Sequence, residues 1–494
     1  MGKVGFDNQK YLKLQSEQIR NRIRQFGGKL YLEFGGKLFD DYHASRVLPG
    51  FAPDSKIRML QQLQSEVEIV ITINSEDIEA NKTRSDIGIT YDSDVLRLID
   101  TFRGLNLYVG SVVLTRYNGQ PNAAAFFKHL TSLGIKCYKH YNIAGYPSDI
   151  PHILSDQGLG KNDYIETERS LIVITAPGPG SGKMATCLSQ LYHDQKRGIN
   201  AGYAKFETFP VWNLPLKHPV NLAYEAATAD LDDVNMIDPF HLEAYGETAV
   251  NYNRDVEIFP VLDTIFKRIQ GSSPYKSPTD MGVNMAGFCI FDNDACNTAS
   301  KFEIIRRYYQ TAANAFRGKC DENQVRKLEL LMNQAGITPE FCPAVPASLA
   351  KAEETGAPAG AIILPNGKVV TGKTSSKLGA ASALLLNSLK ELGGIDDKLD
   401  LIDATVLEPI CDLKTRYLKH KNPRLHTDEV LLALTISALT NPISMAAKEM
   451  LESLHGSDAH FTVILSEEDE KILKRLGINV SFEPRYETGR LYQK

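Results

Sequence analysis

The feature that most restricts the fold is an apolar strand that runs directly into a glycine-rich loop and then a helix. The segment reads LIVITAPGPGSGKMATCLSQLYHD, and the loop residues Gly178 to Gly182 stand between the strand and Lys183. Such a loop lets successive backbone N–H groups converge on phosphate oxygens, and the helix N-terminus adds partial positive charge. The segment 176–186 therefore predicts a P-loop-like strand–loop–helix.

The match to the strict phosphate-loop pattern is incomplete at two positions. Pro177 stands where the pattern requires glycine, and Met184 stands where it requires serine or threonine. Thr186 is the nearest hydroxyl after Lys183 and comes two positions late for a magnesium contact. We expect Gly178, Gly180, Ser181, Gly182 and Lys183 to hold the phosphates, and Thr186 or a nearby aspartate to help bind a metal ion. The alternative is a glycine-rich connection that only allows tight packing of strand and helix.

Strand-like and helix-like runs alternate along much of the chain. EVEIVITI (66–73) and LYVGSVVLT (107–115) are separated by the helical SDVLRLIDTFRG, and AAAFFKHLTSLG follows. Strands that alternate with helices of ten or more residues predict an α/β fold with a doubly wound, mostly parallel sheet. The echo FGGKLYLE (26–33) and FGGKLFDD (34–41) predicts a β-hairpin. In the alternative, Gly35, Gly36 and Lys37 bring backbone close to a ligand.

The length of 494 residues predicts two or three domains. The segment TPEFCPAVPASLAKAEETGAPAG (338–360) is rich in proline, alanine and glycine and is the best candidate for a linker. We place the main boundary near residue 335. An N-terminal α/β region, 1–335, contains the glycine loop in one or two subdomains, and 336–494 form a C-terminal α/β domain.

A second textual match to the phosphate-loop pattern, GKVVTGKT, spans residues 367–374. Its interior is β-forming and lacks glycine, and Pro365-Asn366-Gly367 predicts a hairpin turn between AIILP and KVVT. A strand cannot wrap a phosphate. Lys373, Thr374 and Ser375 nevertheless precede a strong helix and offer an anion site at its N-terminus. The alternative is simple capping of that helix by Thr374 or Ser375.

A nucleotide site also needs carboxylates that hold Mg²⁺. Asp292 follows the strand-like GFCIF (287–291), and an aspartate at the end of an apolar strand is the usual geometry for this role. Other candidates are Asp230, Asp232, Asp233 and Asp294. Neither a GxSxG elbow nor an HExxH helix is present, although a Ser/His/Asp site assembled from distant positions stays open.

Composition excludes several classes of protein. The net charge of −5 and the interspersed signs disfavour a nucleic-acid binder. Seven cysteines without a CxxC pair support neither a disulfide framework nor a zinc site. Because no apolar run reaches about 18 residues, we expect no membrane span and a cytoplasmic location. A homo-oligomer is the default expectation for such a protein.

Two resemblances add to these expectations. The segment AGYAKF after the glycine-loop helix resembles dethiobiotin-synthetase-like ATPases, in which a lysine after the second strand faces substrate. That resemblance implies a catalytic role for Lys205 beside Lys183.

The second resemblance covers essentially the whole chain and is carried by four segments: EFGGKLFDDYHASRVLPGF, ITAPGPGSGKMATCLSQLYHD, KFETFPVWNLPLKHPVNLAYEAATADL and TGKTSSKLGAASALLLNSLKELGGI. It is to a bacterial family catalogued as a domain of unknown function with N-terminal and C-terminal parts. Some of its members are labelled ATP-dependent peptidase. The resemblance implies a cytoplasmic bacterial setting and a boundary near residue 335.

Three hypotheses for the function follow. The first is an NTP-dependent enzyme that binds ATP or another phosphate-bearing ligand with Mg²⁺ and performs phosphoryl transfer or ligation. The second is a non-catalytic sensor or assembly protein that binds the same ligands, which the missing hydroxyl at position 184 favours. The third is an ATP-dependent peptidase, for which the chain offers no protease motif.

Overall fold

The computed structural model describes residues 3–36, 38–39, 41–84 and 88–488 and divides into two compact units. The first unit comprises Phe6–Asn221 and Asp233–Phe291, and the second comprises the described parts of Met1–Gly5, Leu222–Asp232 and Asp292–Lys494. No helix within the described ranges is long and apolar enough to cross a membrane.

The first unit is built on a seven-stranded sheet in which every strand pair is parallel. In chain order the strands of this unit are β1 (Leu30–Phe34), β2 (Val67–Asn74), β3 (Tyr108–Tyr117), β4 (Cys137–Tyr141), β5 (Leu171–Thr175), β6 (Gly202–Phe206), β7 (Asn235–Ile237), β8 (Val250–Tyr252) and β9 (Gly282–Val283). The large sheet has the order β4-β3-β2-β5-β1-β6-β9, and β7 and β8 form a separate antiparallel pair.

Helices cover both faces of the large sheet. Those of the first unit are α1 (Asn8–Gln25), α2 (Tyr42–Val47), α3 (Ser55–Gln62), α4 (Ser75–Glu79), α5 (Tyr91–Gly104), α6 (Pro121–Ser132), α7 (Ile150–Ile153), α8 (Lys183–Lys196), α9 (Pro219–Ala227, which runs into the second unit), α10 (Pro239–Tyr245), α11 (Asn253–Gln270) and α12 (Pro278–Met281). Leu30, Leu32 and Phe34 of β1 share a core with α1, α3, α5 and α6, whereas Tyr31 shares a core with α8 and α11. The α/β fold with a doubly wound parallel sheet is therefore confirmed.

The predicted hairpin at residues 26–41 is wrong. Among the described residues of the echo, only the first copy leads into a strand, β1, and that strand pairs in parallel with β5 and β6. Gly27 and Gly28 follow the end of α1 with φ of +75° and +106°, and Gly35 and Gly36 form the loop after β1. Lys37 lies outside the described residues. Apolar–polar alternation near paired glycines could not distinguish a hairpin from a central parallel strand.

The second unit contains a mixed four-stranded sheet of order β11-β10-β12-β13. Its strands are β10 (Ala359–Ile363), β11 (Val369–Lys373), β12 (Asp458–Phe461) and β13 (Asn479–Phe482), and its helices are α13 (Asn293–Phe316), α14 (Glu322–Gln334), α15 (Ala344–Thr355), α16 (Ala380–Gly393), α17 (Ala404–Asp412), α18 (Thr427–Ser437), α19 (Pro442–Glu449) and α20 (Glu467–Arg475). β10 pairs in antiparallel fashion with β11 and β12, and β12 pairs in parallel with β13.

Two local predictions made from the sequence are corrected. The segment 338–360 is largely helix α15 rather than an irregular linker, because its alanines favour helix once Pro343 precedes the first turn. The segment 287–291 is not a strand, since Ala286–Cys289 form a 3₁₀ turn. The hairpin predicted between AIILP and KVVT is confirmed, with Gly367 in the turn at a φ of +83°.

Candidate functional site

The strand order places a topological switch point at β1 and β5. From β1 the chain moves outward through β2, β3 and β4, and it then returns to β5 and crosses to β6 on the other side of β1. In open parallel sheets, the crevice at the carboxyl ends of such strands is the usual place for a ligand. Gly35 and Gly36 follow β1 at this edge, and the glycine loop 176–182 follows β5.

Threonines of the neighbouring strands hold the glycine loop in place. The Thr115 hydroxyl donates to the carbonyl oxygen of Ser181 at 2.9 Å, and the hydroxyl oxygens of Thr72 and Ser181 lie 3.4 Å apart. Gly180 and Gly182 have φ of +72° and +80°, which favour glycine at both positions. The loop is therefore fixed to the sheet at a buried serine while Gly180 remains exposed.

Lys183 is the first residue of α8 and is half-buried. Within the described part of the chain, its ammonium group makes no ion pair and no hydrogen bond. The backbone N–H groups of Lys183, Met184 and Ala185 have no acceptor there either, since Gly182 caps the helix without a side chain. These unsatisfied donors and the helix dipole make this point attractive to an anion.

Thr186 lies in the core rather than in the loop. Its hydroxyl oxygen is fully buried and lies 3.3 Å from Nδ1 of His140, whose Nε2 contacts the Asp163 carbonyl oxygen at 3.1 Å. Burial lowers the pKa of His140 to about 4, so this imidazole is neutral at pH 7. A magnesium contact by Thr186 would require the hydroxyl to leave His140.

Lys205 lies in a buried cluster of charges on β6. Its ammonium group contacts the Asp255 carboxylate and the Tyr252 hydroxyl, and it lies 3.2 Å from Oε1 of Glu207. Glu33 of β1 is the register partner of Lys205 and accepts a hydrogen bond from Tyr203 at 2.8 Å. Burial opposes the charge on Lys205, but the carboxylates, Asp255 first, raise its pKa well above the ordinary value. This lysine is therefore a fully engaged cation.

Two carboxylates contact that single ammonium group and the charge of Glu33 also acts on it, so the charges are not balanced within the cluster. Burial raises the pKa of Glu207 to about 7, and although Lys205 lowers it, Asp255 raises it again. Glu207 follows directly after β6, at the same edge of the sheet as the glycine loop. A carboxyl group that exchanges its proton near neutral pH is suited to general acid–base chemistry.

The thiol of Cys187 is influenced by both Lys183 and Glu33. This thiol is fully buried, and burial raises its pKa well above the ordinary value. Glu33 raises this pKa further and Lys183 lowers it, so both charges act on the same sulfur atom. Lys183 and Glu33 therefore influence this thiol in opposite directions.

Sequence reasoning found Lys183 and Lys205 but missed Glu33, Glu207, Tyr252 and Asp255. The available signal was charged residues within otherwise apolar strands, Glu33 in LYLEF and Lys205 in GYAKF. Asp255 carried no such signal, because it lies in the first turn of α11, where an acidic residue is ordinary.

Four further predicted site residues, Asp292, Lys373, Thr374 and Ser375, lie in the second unit. Asp292 does not end a strand: it caps α13, and its Oδ1 accepts from the N–H of Ala295 at 3.0 Å. Lys373 is exposed at the end of β11, and the helix behind it begins only at Ala380, so Lys373 and Ser375 are not at a helix N-terminus and neither Thr374 nor Ser375 is its cap. Among the described residues, no group of three or more His, Cys, Asp or Glu could hold a metal ion.

The second unit also brings a serine, a histidine and an aspartate together. Oγ of Ser466 lies 3.3 Å from Nδ1 of His426, and Oδ2 of Asp469 lies 3.0 Å from the same nitrogen. In serine hydrolases the serine and the aspartate bind opposite nitrogens of the imidazole, so that a proton can be relayed. Here the three side chains instead cap helices α18 and α20.

Comparison with known proteins places nearly the whole chain in one family. Residues 4–336 match the model described as "Domain of unknown function DUF1846, N-terminal", and residues 340–492 match the corresponding C-terminal model. The chain belongs to the DUF1846 family. The DUF1846 chain is 60% identical over 494 residues to a UPF0371 protein of Streptococcus thermophilus, with 100% of both chains covered. UPF0371 proteins of Streptococcus uberis and Streptococcus pyogenes serotype M3 are 58% identical with the same coverage.

Proposed function

We propose that the first unit binds the phosphate group of a nucleotide or a phosphorylated metabolite at the carboxyl end of β5. The observation that carries this proposal is the ammonium group of Lys183, which has no anionic partner among the described residues and stands beside three unsatisfied N–H donors of α8. A phosphate oxygen would satisfy these donors, and the lysine would neutralise its charge.

We further propose that this binding serves an enzyme of phosphoryl transfer or ATP-dependent ligation. Glu207 supports this extension, because its pKa of about 7 provides an acid–base group at the same sheet edge. In this proposal Lys183 binds phosphate, and Lys205 holds Glu207 and Asp255 in position. With its ammonium engaged by these carboxylates, Lys205 is a positioning residue rather than one that faces substrate.

A non-catalytic sensor is the second candidate. It is favoured by the contact of Thr186 with His140, which leaves the first turn of α8 without a hydroxyl for magnesium. A nucleotide would then bind through Lys183 without being hydrolysed. The peptidase hypothesis gains no support from the Ser466–His426–Asp469 cluster, because its serine and aspartate contact the same imidazole nitrogen.

Calorimetric titration of the full chain with ATP, ADP, GTP and inorganic phosphate, with and without Mg²⁺, tests the binding proposal. Lys183→Met keeps the aliphatic stem and removes the charge, and we expect it to weaken nucleotide binding at least about tenfold, the loss of one charge-assisted contact. Lys196→Met, at the other end of α8, is the matched control and should bind as the wild type does.

Unchanged nucleotide affinity in Lys183→Met, or no binding by the wild type, would refute the proposal. Release of ADP or phosphate from bound ATP then distinguishes enzyme from sensor. Turnover that is lost in Glu207→Gln with binding retained supports the enzyme.

A further inference from the structure

The second unit contains a cavity of about 80 Å³ at which the N-terminal ends of three helices meet. Gly379, His426 and Ser466, which directly precede α16, α18 and α20, all line this cavity. Each helix N-terminus presents N–H groups without an intrahelical acceptor and a partial positive charge.

Side chains of the protein cap helices α18 and α20. The Asp469 carboxylate accepts from the N–H of Thr427 at 2.7 Å and from the Ser466 hydroxyl at 2.9 Å. The Ser466 oxygen accepts in turn from the N–H of Asp469 at 3.1 Å. The carboxylate of Glu429 accepts from the N–H of His426 at 2.8 Å. Side-chain caps therefore already engage N–H groups at these two helix ends.

Helix α16 differs from both. Its cap, Gly379, has no side chain, and the N–H groups of Ala380, Ala381 and Ser382 have no acceptor in the described part of the chain. Ala380 is 6% exposed and Ala381 is 2% exposed, and both line the cavity. Buried N–H donors are nearly always paired in folded proteins, so these donors call for an acceptor inside the cavity.

Thr374 gives a second, independent indication. It is only 8% exposed, lines the same cavity from the end of β11, and its hydroxyl has no hydrogen-bond partner among the described residues. The charged residues of the lining are paired already: Arg424 contacts Glu487 at 2.6 Å and His426 contacts Asp469 at 3.0 Å. The lining therefore offers a ligand hydrogen-bond donors rather than an unpaired charge.

We propose that this cavity binds a tetrahedral oxyanion, namely free phosphate or the phosphoryl group of a small metabolite. The N–H groups of Ala380 and Ala381 and the Thr374 hydroxyl donate to its oxygens. A volume of about 80 Å³ holds roughly five water molecules, which is room for one phosphate group. The residues of this second site belong to the second unit, whereas Lys183 belongs to the first.

The test uses the full chain carrying Lys183→Met, so that the first site does not contribute. Ala380→Pro removes one N–H at the first position of the helix, where proline is tolerated and no hydrogen bond is lost. Gly379 already has the extended backbone, φ −69° and ψ 163°, that a residue before proline requires. Ala404→Pro makes the same change at the first position of α17, away from the cavity lining, and is the matched control.

We expect calorimetry to detect phosphate binding in this background and in Ala404→Pro. Ala380→Pro and, independently, Thr374→Val should each weaken it about tenfold. Absence of phosphate binding, equal affinity for acetate, or unchanged affinity in Ala380→Pro and Thr374→Val would overturn the proposal. Tighter binding of glycerol phosphate than of inorganic phosphate identifies a phosphorylated metabolite, whereas the reverse order identifies free phosphate.

Discussion

The phenol ring of Tyr91 fills the space in which a β-carbon on Gly178 would lie. An ideal β-carbon there would be 2.6 Å from Cζ and 2.7 Å from Cε2 of Tyr91, far inside van der Waals contact. Gly178 is not in the left-handed region of φ, so the preference for glycine rests on this contact, and Tyr91 would have to shift to admit a β-carbon. Tyr91, at the start of α5, thus determines what can follow Pro177 in the loop.

We expect Gly178→Ala to destabilise the first unit by about 1–3 kcal/mol, the usual cost of overpacking. Tyr91→Leu should recover part of this loss in the double variant, because it removes the atoms that clash. Urea unfolding followed by the fluorescence of Trp212, the single tryptophan and a residue of the first unit, measures the coupling. Additive effects of the two substitutions would contradict the steric explanation.

Gly182 depends on backbone conformation as well as on space. Its φ of +80° favours glycine, and a β-carbon would lie 3.1 Å from Cγ2 of Thr115. We expect Gly182→Ala to cost about 1–2 kcal/mol and Gly182→Asn to cost less, because asparagine tolerates this region. The same fluorescence assay ranks the two variants. Thr115→Ser should not restore the stability that Gly182→Ala loses, whereas Tyr91→Leu should partly restore that lost in Gly178→Ala. Full restoration by Thr115→Ser would argue against backbone strain.

Lys205 stabilises the acidic cluster by charge. Removing one partner of a buried ion pair leaves an uncompensated charge, so Lys205→Met should lower the free energy of unfolding by about 3–5 kcal/mol. Lys205→Met/Asp255→Asn should be more stable than Lys205→Met, since one of the stranded carboxylates is gone. Equal stabilities of the single and double variants would show that charge is not the cause.

Glu207 predicts a pH dependence of stability. Its pKa is about 7 in the folded chain, above the ordinary 4.5, so the folded state retains a proton that the unfolded state loses between these values. Rising pH therefore favours unfolding in this window, by up to about 1.4 kcal/mol per pH unit from this residue. Glu207→Gln should flatten the slope between pH 4.5 and 7 in urea titrations at fixed pH, and parallel slopes would exclude this role.

The His426–Asp469 pair predicts that stability is lost both when the pH rises and when it falls. The hydrogen bond to Asp469 raises the pKa of His426. Burial raises the pKa of Asp469, but its bonds, first to His426, lower it overall. The contribution of His426 is complete below about pH 6.5 and is lost as the pH rises through its raised pKa. That of Asp469 is complete above about pH 4 and is lost as the pH falls through its lowered pKa.

The ends of α18 and α20 should thus be most stable between about pH 4 and 6.5. Hydrogen exchange of their amides, measured by mass spectrometry across this range, checks the expectation. His426→Gln should exchange faster throughout and lose the dependence above pH 6.5. A variant that retains the wild-type profile would assign the protection to other groups.

Local sequence patterns predicted the helices and strands better than they predicted which strands pair with each other. The alternation of strands and helices was enough for the parallel sheet, because each crossover helix requires parallel neighbours. It could not predict that β1 lies between β5 and β6, since all the strands are similarly apolar. The echo FGGKL failed for a related reason: its first copy follows the end of α1 and its second follows β1, and neither place is encoded in five residues.

The candidate site was predicted where it is contiguous in sequence and missed where it is not. Gly178 to Lys183 form one segment, so the loop and its helix could be read directly. The cluster around Lys205 combines residues from β1, β6, β8 and α11. Its existence depends on the register between β1 and β6, which pairs Glu33 with Lys205. No local sequence pattern encodes that register.

The central position of β1 has a consequence for how the chain is made. This strand is completed at Phe34, yet its partners are β5, which begins at Leu171, and β6, which begins at Gly202. While the ribosome synthesises the intervening residues, both edges of β1 lack their native neighbours, and an unpaired apolar edge invites aggregation. Folding of the first unit is therefore completed late, because it depends on contacts between residues far apart in sequence. Nascent chains that end before β6 are accordingly the species that most need a chaperone.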